Sequence, residues 1–270
     1  MLNHSCNTEQ LKQLKIENYS LFTVLEERYR RYCTPAFIET DPVQIPHLFQ
    51  RREDIEIAGF LAASIAWGQR KAIISGAKRL LSLMDNAPYD FVMNASSHEL
   101  MRLDSFVYRT FQPVDCLFFI SSLRNIYTNC GGLHTVFADG YRTNESIFGA
   151  LVYFRRIFME TPHLLRSAKH VSDVLRGASA KRLNMFLRWM VRGNDGIDFG
   201  LWKDIPVSAL MIPLDVHTGN VGRRLGLLTR KANDWKAVEE LTGNLRKFDA
   251  QDPVKFDFAL FGMGVFEGQK

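Results

Sequence analysis

Cysteine is scarce in this chain, and its spacing suits no metal. Cys6, Cys33, Cys116 and Cys130 stand far apart, with no pair at the short interval of a zinc or iron–sulfur loop. A chain of 270 residues does not need disulfides to hold a core, so reduced thiols are expected. No window approaches the ~18 uninterrupted apolar residues of a membrane helix. The N-terminus lacks the basic start and apolar run of a secretion signal. These absences point to a cytoplasmic protein without a membrane partner. Internal repeats, low-complexity segments and convincing period-two strands are also missing, which argues against solenoid and β architectures. The 18 glycines and 9 prolines gather nowhere, so no collagen-like or disordered segment is marked.

What remains is an ordinary globular balance with an excess of phenylalanine. Hydrophobic residues make up 46% and charged residues 23%, with 20 Phe. A net charge of +5 and a pI near 9.0 suit an anionic partner without requiring one. Apolar residues at helical spacing predict ten to twelve helices and an all-α, two-lobed bundle. Residues 11–32 read as one or two helices, and 34–46, with Pro35, Pro42 and Pro46, as extended and turn-rich. The stretch 52–84 carries a nearly all-apolar helix, a break at Trp67-Gly68-Gln69, and a second helix with Arg70 and Lys71 on its polar side. Further helices are expected at 88–102, 113–130, 133–139, 144–160, 163–176 and 233–248. The last is expected from Pro253 to Met263, with Asp252 as its cap.

The chemistry is concentrated between Gly177 and Arg224. Gly177-Ala178-Ser179-Ala180 is a turn of small residues leading into a helix opened by Lys181. Free N–H groups at a helix start suit a phosphate. A lysine at that positive end, with Arg182 beside it, is a candidate nucleophilic amine; the plainer alternative is a solvated surface lysine. Asp215 lies in the apolar run Ile212-Pro213-Leu214-Asp215-Val216. It reads as a helix N-cap, as a carboxylate that stabilises positive charge, or as both at once. His217 has no companion ligands, so no metal site is expected. Arg223 and Arg224 give the following helix a basic end.

These residues resemble the helix-hairpin-helix DNA glycosylase superfamily, which includes endonuclease III and the oxidised-guanine glycosylases. Gly177 to Lys181 is similar to the hairpin and its lysine, Leu214-Asp215-Val216-His217 to the aspartate motif, and Val221 with Arg224 to the tail that follows. Lys181 followed by Asn184-Met185-Phe186 and Trp189-Met190 looks most like the archaeal oxidised-guanine branch. The runs KRLNMFLRWMV, PLDVHTG and DPVKFDFALFGMG resemble a bacterial family of uncharacterised proteins assigned to that superfamily. The resemblance covers residues 55–270 and leaves 1–54 as an N-terminal helical arm. Ser179 replaces the hairpin's second glycine, Asn220 replaces the first tail arginine, and an extra turn near 192–208 lengthens the Lys181–Asp215 interval.

The resemblance implies two helical lobes around a cleft that accepts a flipped, damaged base from duplex DNA. Lys181 and Asp215 would be catalytic. Gly177, Ser179, Arg182, Arg70, Lys71, Arg223 and Arg224 would contact DNA. Trp67, Gln69, Trp189 and Phe258 would line the base pocket or stack, with His217 nearby. It implies no iron–sulfur cluster, leaves room for a monovalent cation at the hairpin, and calls for no obligate protein partner. Two rival readings remain: a nucleic-acid binder that kept the fold without turnover, and an all-α scaffold whose basic residues do not gather around Asp215.

Overall fold

The computed structural model describes residues 20–193 and 195–267, and every regular element among them is helical. The first part of the predicted 11–32 helix, and Cys6, lie outside the described residues. Helix α1 covers 20–32 and α2 Ala36–Thr40; two 3-10 turns, Pro42–Gln44 and Pro46–Leu48, lead to α3, Arg52–Ser64. Residues 34–46 are therefore short helical turns rather than an extended strand. Asp41 starts the first of these turns by accepting the Val43 N–H at 3.0 Å.

The chain continues through α4 (Arg70–Leu83), α5 (Pro88–Asn94), α6 (Ser97–Leu100), α7 (Pro113–Asn129), α8 (Leu133–Asn144) and α9 (Ile147–Phe158). Pro88 and Pro113 sit in first turns, where a missing N–H costs nothing. The helix expected over 163–176 is absent; two 3-10 turns, Leu165–His170 and Val174–Arg176, stand there instead. Asp173 takes the Leu175 N–H at 3.1 Å, a local bond that competes with a helical ladder. Then come α10 (Lys181–Val191), α11 (Val216–Arg224), α12 (Trp235–Leu245) and α13 (Phe256–Gly262). Asp252 caps as expected, but the turn it opens, Pro253–Lys255, is 3-10, and α13 starts after it.

Helix α10 is the axis of the packing. Nine of its eleven residues, Leu183 to Val191, are buried. Gly59 lets α3 approach it: a Cβ there would lie 3.1 Å from Met190 Cε and 3.4 Å from Phe186 Cε2. Around that crossing Phe60 meets Phe119, Phe154, Phe158 and Phe186, with centroids 5.5–5.8 Å apart. Glu56 enters this core fully partnered. It accepts Trp202 Nε1 at 2.8 Å, Tyr127 Oη at 2.7 Å and Arg52 Nε at 2.9 Å.

The described part of the N-terminal segment, residues 20–54, packs on the common core. Leu25, Val43 and Ile45 belong to the same hydrophobic cluster as α3, α10 and α13. Tyr32 lies so close to Gly262 that any Cβ there would fall inside its ring. The chain between α10 and α11 is likewise folded into the core, through Phe199 N to Trp189 O (2.8 Å) and Trp202 N to Met190 O (3.0 Å). No helix among the described residues is long and apolar enough to cross a membrane.

Candidate functional site

A cleft of about 1170 Å3 opens where the start of α10, the start of α11, the α3–α4 junction and α13 converge. Lys181 and Asp215, remote in sequence, both line it. Each is placed by a helix start. The turn before α10 closes on itself: Gly177, at φ 82°, gives its N–H to Val174 O, and Ala178 gives its own to Asp173 O. Trp235 N–H then holds Gly177 O at 3.0 Å, fixing the hairpin to α12. Ala180, at φ 49°, turns the chain into the helix with no side-chain cap, leaving first-turn amides of α10 open. Lys181 Nζ rests 3.5 Å from Met185 Sδ and makes no ion pair among the described residues.

Asp215 caps α11. Its carboxylate takes the Thr218 N–H at 2.9 Å, and its carbonyl accepts Asn233 Nδ2 at 3.2 Å. Ile212 and Leu214, both buried, anchor the approach to this cap. Capping fixes one carboxylate oxygen and leaves the group half-exposed at the positive end of a helix.

The α3–α4 junction supplies Trp67, Gly68, Gln69 and Arg70 to the wall. Trp67 is clamped between His170, stacked at 5.9 Å, and the Arg182 guanidinium at 4.9 Å. His170 in turn meets Asp115, a fully buried carboxylate that also takes Ser167 Oγ and the Gln112 N–H. Burial, against the pull of Asp115, lowers the His170 pKa. Arg182 is only partly a cleft residue. It donates to the Ser64 carbonyl and to His170 O at 3.2 Å, and burial lowers its pKa to about 10.

Several expected contacts fall elsewhere. Trp189 and Phe258 are fully buried and do not line the cleft, so neither is placed to stack on a base. They lie on the inner faces of apolar helices, where an aromatic ring serves the core. Phe256 is buried in the same way. Arg223 turns away: its guanidinium holds the carbonyls of Arg230 and Lys231 and the side chain of Asn233. Lys71 is exposed and outside the lining, and Gly177, half-buried, is outside it too. The N–H groups of Gly177 and Ala178 serve the turn itself, so the amides free for an anion belong to α10. Ser179, Gln69, Trp67, Arg70, His217 and Arg224 do line the cleft.

The structure adds residues that sequence reasoning missed. Phe37, Met185 and Phe261 give the cleft apolar surface, and Asp41, Arg109, Arg188 and Asp257 give it charge. Arg188 and Asp257 carried a readable signal, being charges inside apolar helical runs; Arg109 carried none. Arg109 sits on a tight turn, Tyr108 to Phe111, with φ 53°, and its guanidinium lies across Gly68. Arg70, Arg109 and Arg224 form no ion pair among the described residues. Below them, Arg188 Nη1 meets Asp257 at 2.5 Å, and both are buried. Burial raises the Asp257 pKa to about 6, with Arg188 opposing. Burial also raises Asp41, opposed by its bond from the Val43 N–H. The rim is thus cationic and the floor an acid–base mixture. No group of three His, Cys, Asp or Glu side chains among the described residues is placed to hold a metal ion.

Residues 41–266 match the family described as Protein of unknown function (DUF2400). The chain matches no curated protein and no solved structure.

Proposed function

The chain belongs to the DUF2400 family, and we propose that this member is a DNA base-excision glycosylase with abasic-site lyase activity. The observation that carries the reading is the convergence of the Lys181 amine and the Asp215 carboxylate on one open cleft with unpaired arginines at its rim. In this reading the helices form two lobes, the cleft runs between them, and the protein acts on duplex DNA in the cytoplasm. The resemblance to helix-hairpin-helix glycosylases points the same way.

A damaged nucleotide is turned out of the duplex into the cleft. Arg70, Arg109 and Arg224 neutralise backbone phosphates, and the open amides at the start of α10 take one more. Phe37, Met185 and Phe261 offer apolar surface to the base. Lys181 attacks the sugar C1′; the C1′–N bond to the base breaks as the bond to Nζ forms. Asp215, at the N-terminus of α11, stabilises the positive charge that grows on the sugar. Ring opening moves a proton from nitrogen to the sugar oxygen and leaves a Schiff base, from which elimination nicks the strand. These steps need no cofactor.

The test is covalent trapping. Wild-type protein is incubated with duplexes carrying oxidised, deaminated or abasic sites, and borohydride is added. A DNA–protein adduct is expected with at least one duplex, and Lys181→Ala should lose it. Salt-dependent binding with no adduct on any duplex would leave a binder without turnover and remove the enzyme.

A further inference from the structure

An ammonium has no lone pair, so Lys181 must lose a proton before it attacks. Asp215 is the obvious acceptor, yet one of its oxygens is held by the Thr218 N–H that starts α11. Asp41 is engaged in the same way by Val43 N–H. Asp257 caps nothing. It lies inside α13, and Arg188 holds one of its oxygens. Its other oxygen, like the second oxygen of Asp215 and of Asp41, accepts no hydrogen bond among the described residues; Asp257 differs in facing the cleft without being fixed to the start of its own helix. Lys181, Met185 and Arg188 follow one another at helical spacing on one stripe of α10. The amine rests on Met185 Sδ, the residue between it and Arg188. The stripe therefore brings the amine and the Arg188-bound carboxylate to the same floor.

We propose that Asp257, positioned by Arg188, is the carboxylate that exchanges a proton with Lys181. The proton passes from the Lys181 ammonium to Asp257, leaving a neutral amine and a carboxylic acid. The amine bonds to C1′ as the base departs with the electron pair of its bond to the sugar. The acid returns the proton to that base, and Asp257 is a carboxylate again. The surroundings suit exchange near neutrality. Burial raises the Asp257 pKa to about 6; Arg188 and Lys181 pull it down, while Asp215 and Asp198 push it up. Asp41 acts on it through Arg188, and Arg70 and His217 border the same helix at Phe261.

The inference rests on Lys181 as the nucleophile, and its test needs no DNA. The full chain is alkylated with formaldehyde and cyanoborohydride from pH 5 to 9. Modification of Lys181 is read by peptide mass spectrometry as a ratio to exposed Lys71. A paired amine and carboxyl share a neutral form whose fraction does not change with pH while one proton sits on the pair. Protonation of Asp257 removes the charge that holds the ammonium, so the wild-type ratio should climb as pH falls through about 6. It should be flat in Asp257→Asn and climb again in Asp257→Glu and in Asp215→Asn. A flat wild-type ratio overturns the proposal whether or not any variant folds, and so does a climb that survives in Asp257→Asn. A climb that vanishes in Asp257→Asn upholds the relay even if no DNA adduct forms, which would count against the substrate instead.

Discussion

At the residue scale, charge inside apolar surroundings separates the readable from the hidden. Lys181 and Asp215 were legible because each opens a helix next to small or apolar residues. Asp257 gave a fainter cue, one charge inside the apolar run FDFAL, and only the third dimension brings Arg188 to it. Its burial predicts a pH effect. Between roughly pH 4 and 6 folded Asp257 keeps a proton that an ordinary carboxyl, titrating at about 3.9, has lost. That contribution is present at low pH and disappears as pH rises through about 6. Asparagine carries no such proton, so the melting temperature of Asp257→Asn minus that of the wild type should increase between pH 5 and 7.5, by calorimetry. Arg109 holds a left-handed φ that a side chain adopts at a cost of roughly 1 kcal/mol. Arg109→Gly should stabilise the fold by about that much while weakening DNA binding. Denaturant melts and titrations at several salt concentrations would show the two effects with opposite sign.

At the element scale, helices with strong apolar periodicity and clear starts were plain from sequence: α3, α4, α7, α9 and α10 lie close to where their patterns put them. The misses share a cause. Over 163–176 and 34–46, proline and capping aspartates offer the backbone local bonds that compete with a longer ladder. Trp189 and Phe258 were misplaced because periodicity reports an apolar stripe without saying whether the stripe faces a cleft or the interior. Helix α11 separates the two roles of Asp215. Asp215→Ala removes its cap and should cost ~1 kcal/mol in a urea melt. Asparagine is as good a cap, so Asp215→Asn should keep most of that stability and still lose borohydride trapping. Equal losses from both variants in both measurements would reduce Asp215 to a helix start.

At the scale of the whole molecule, an all-helical chain with a large aromatic core followed from composition and periodicity, whereas the cleft did not. Its walls come from α2, the α3–α4 junction, α10, α11 and α13, and no local pattern predicts that meeting. If the rim arginines neutralise phosphates, the slope of log K against log salt should shrink by about one for Arg70→Ala or Arg224→Ala, and stay unchanged for Arg223→Ala, whose guanidinium is occupied by carbonyls. The seat of Gly262 under the Tyr32 ring reaches further than it looks. It couples the opening helix to the one bearing Asp257, so a protein trimmed to residues 41–266 would keep its Lys181 and Asp215 yet lose the clasp that sets the depth of the chamber between them.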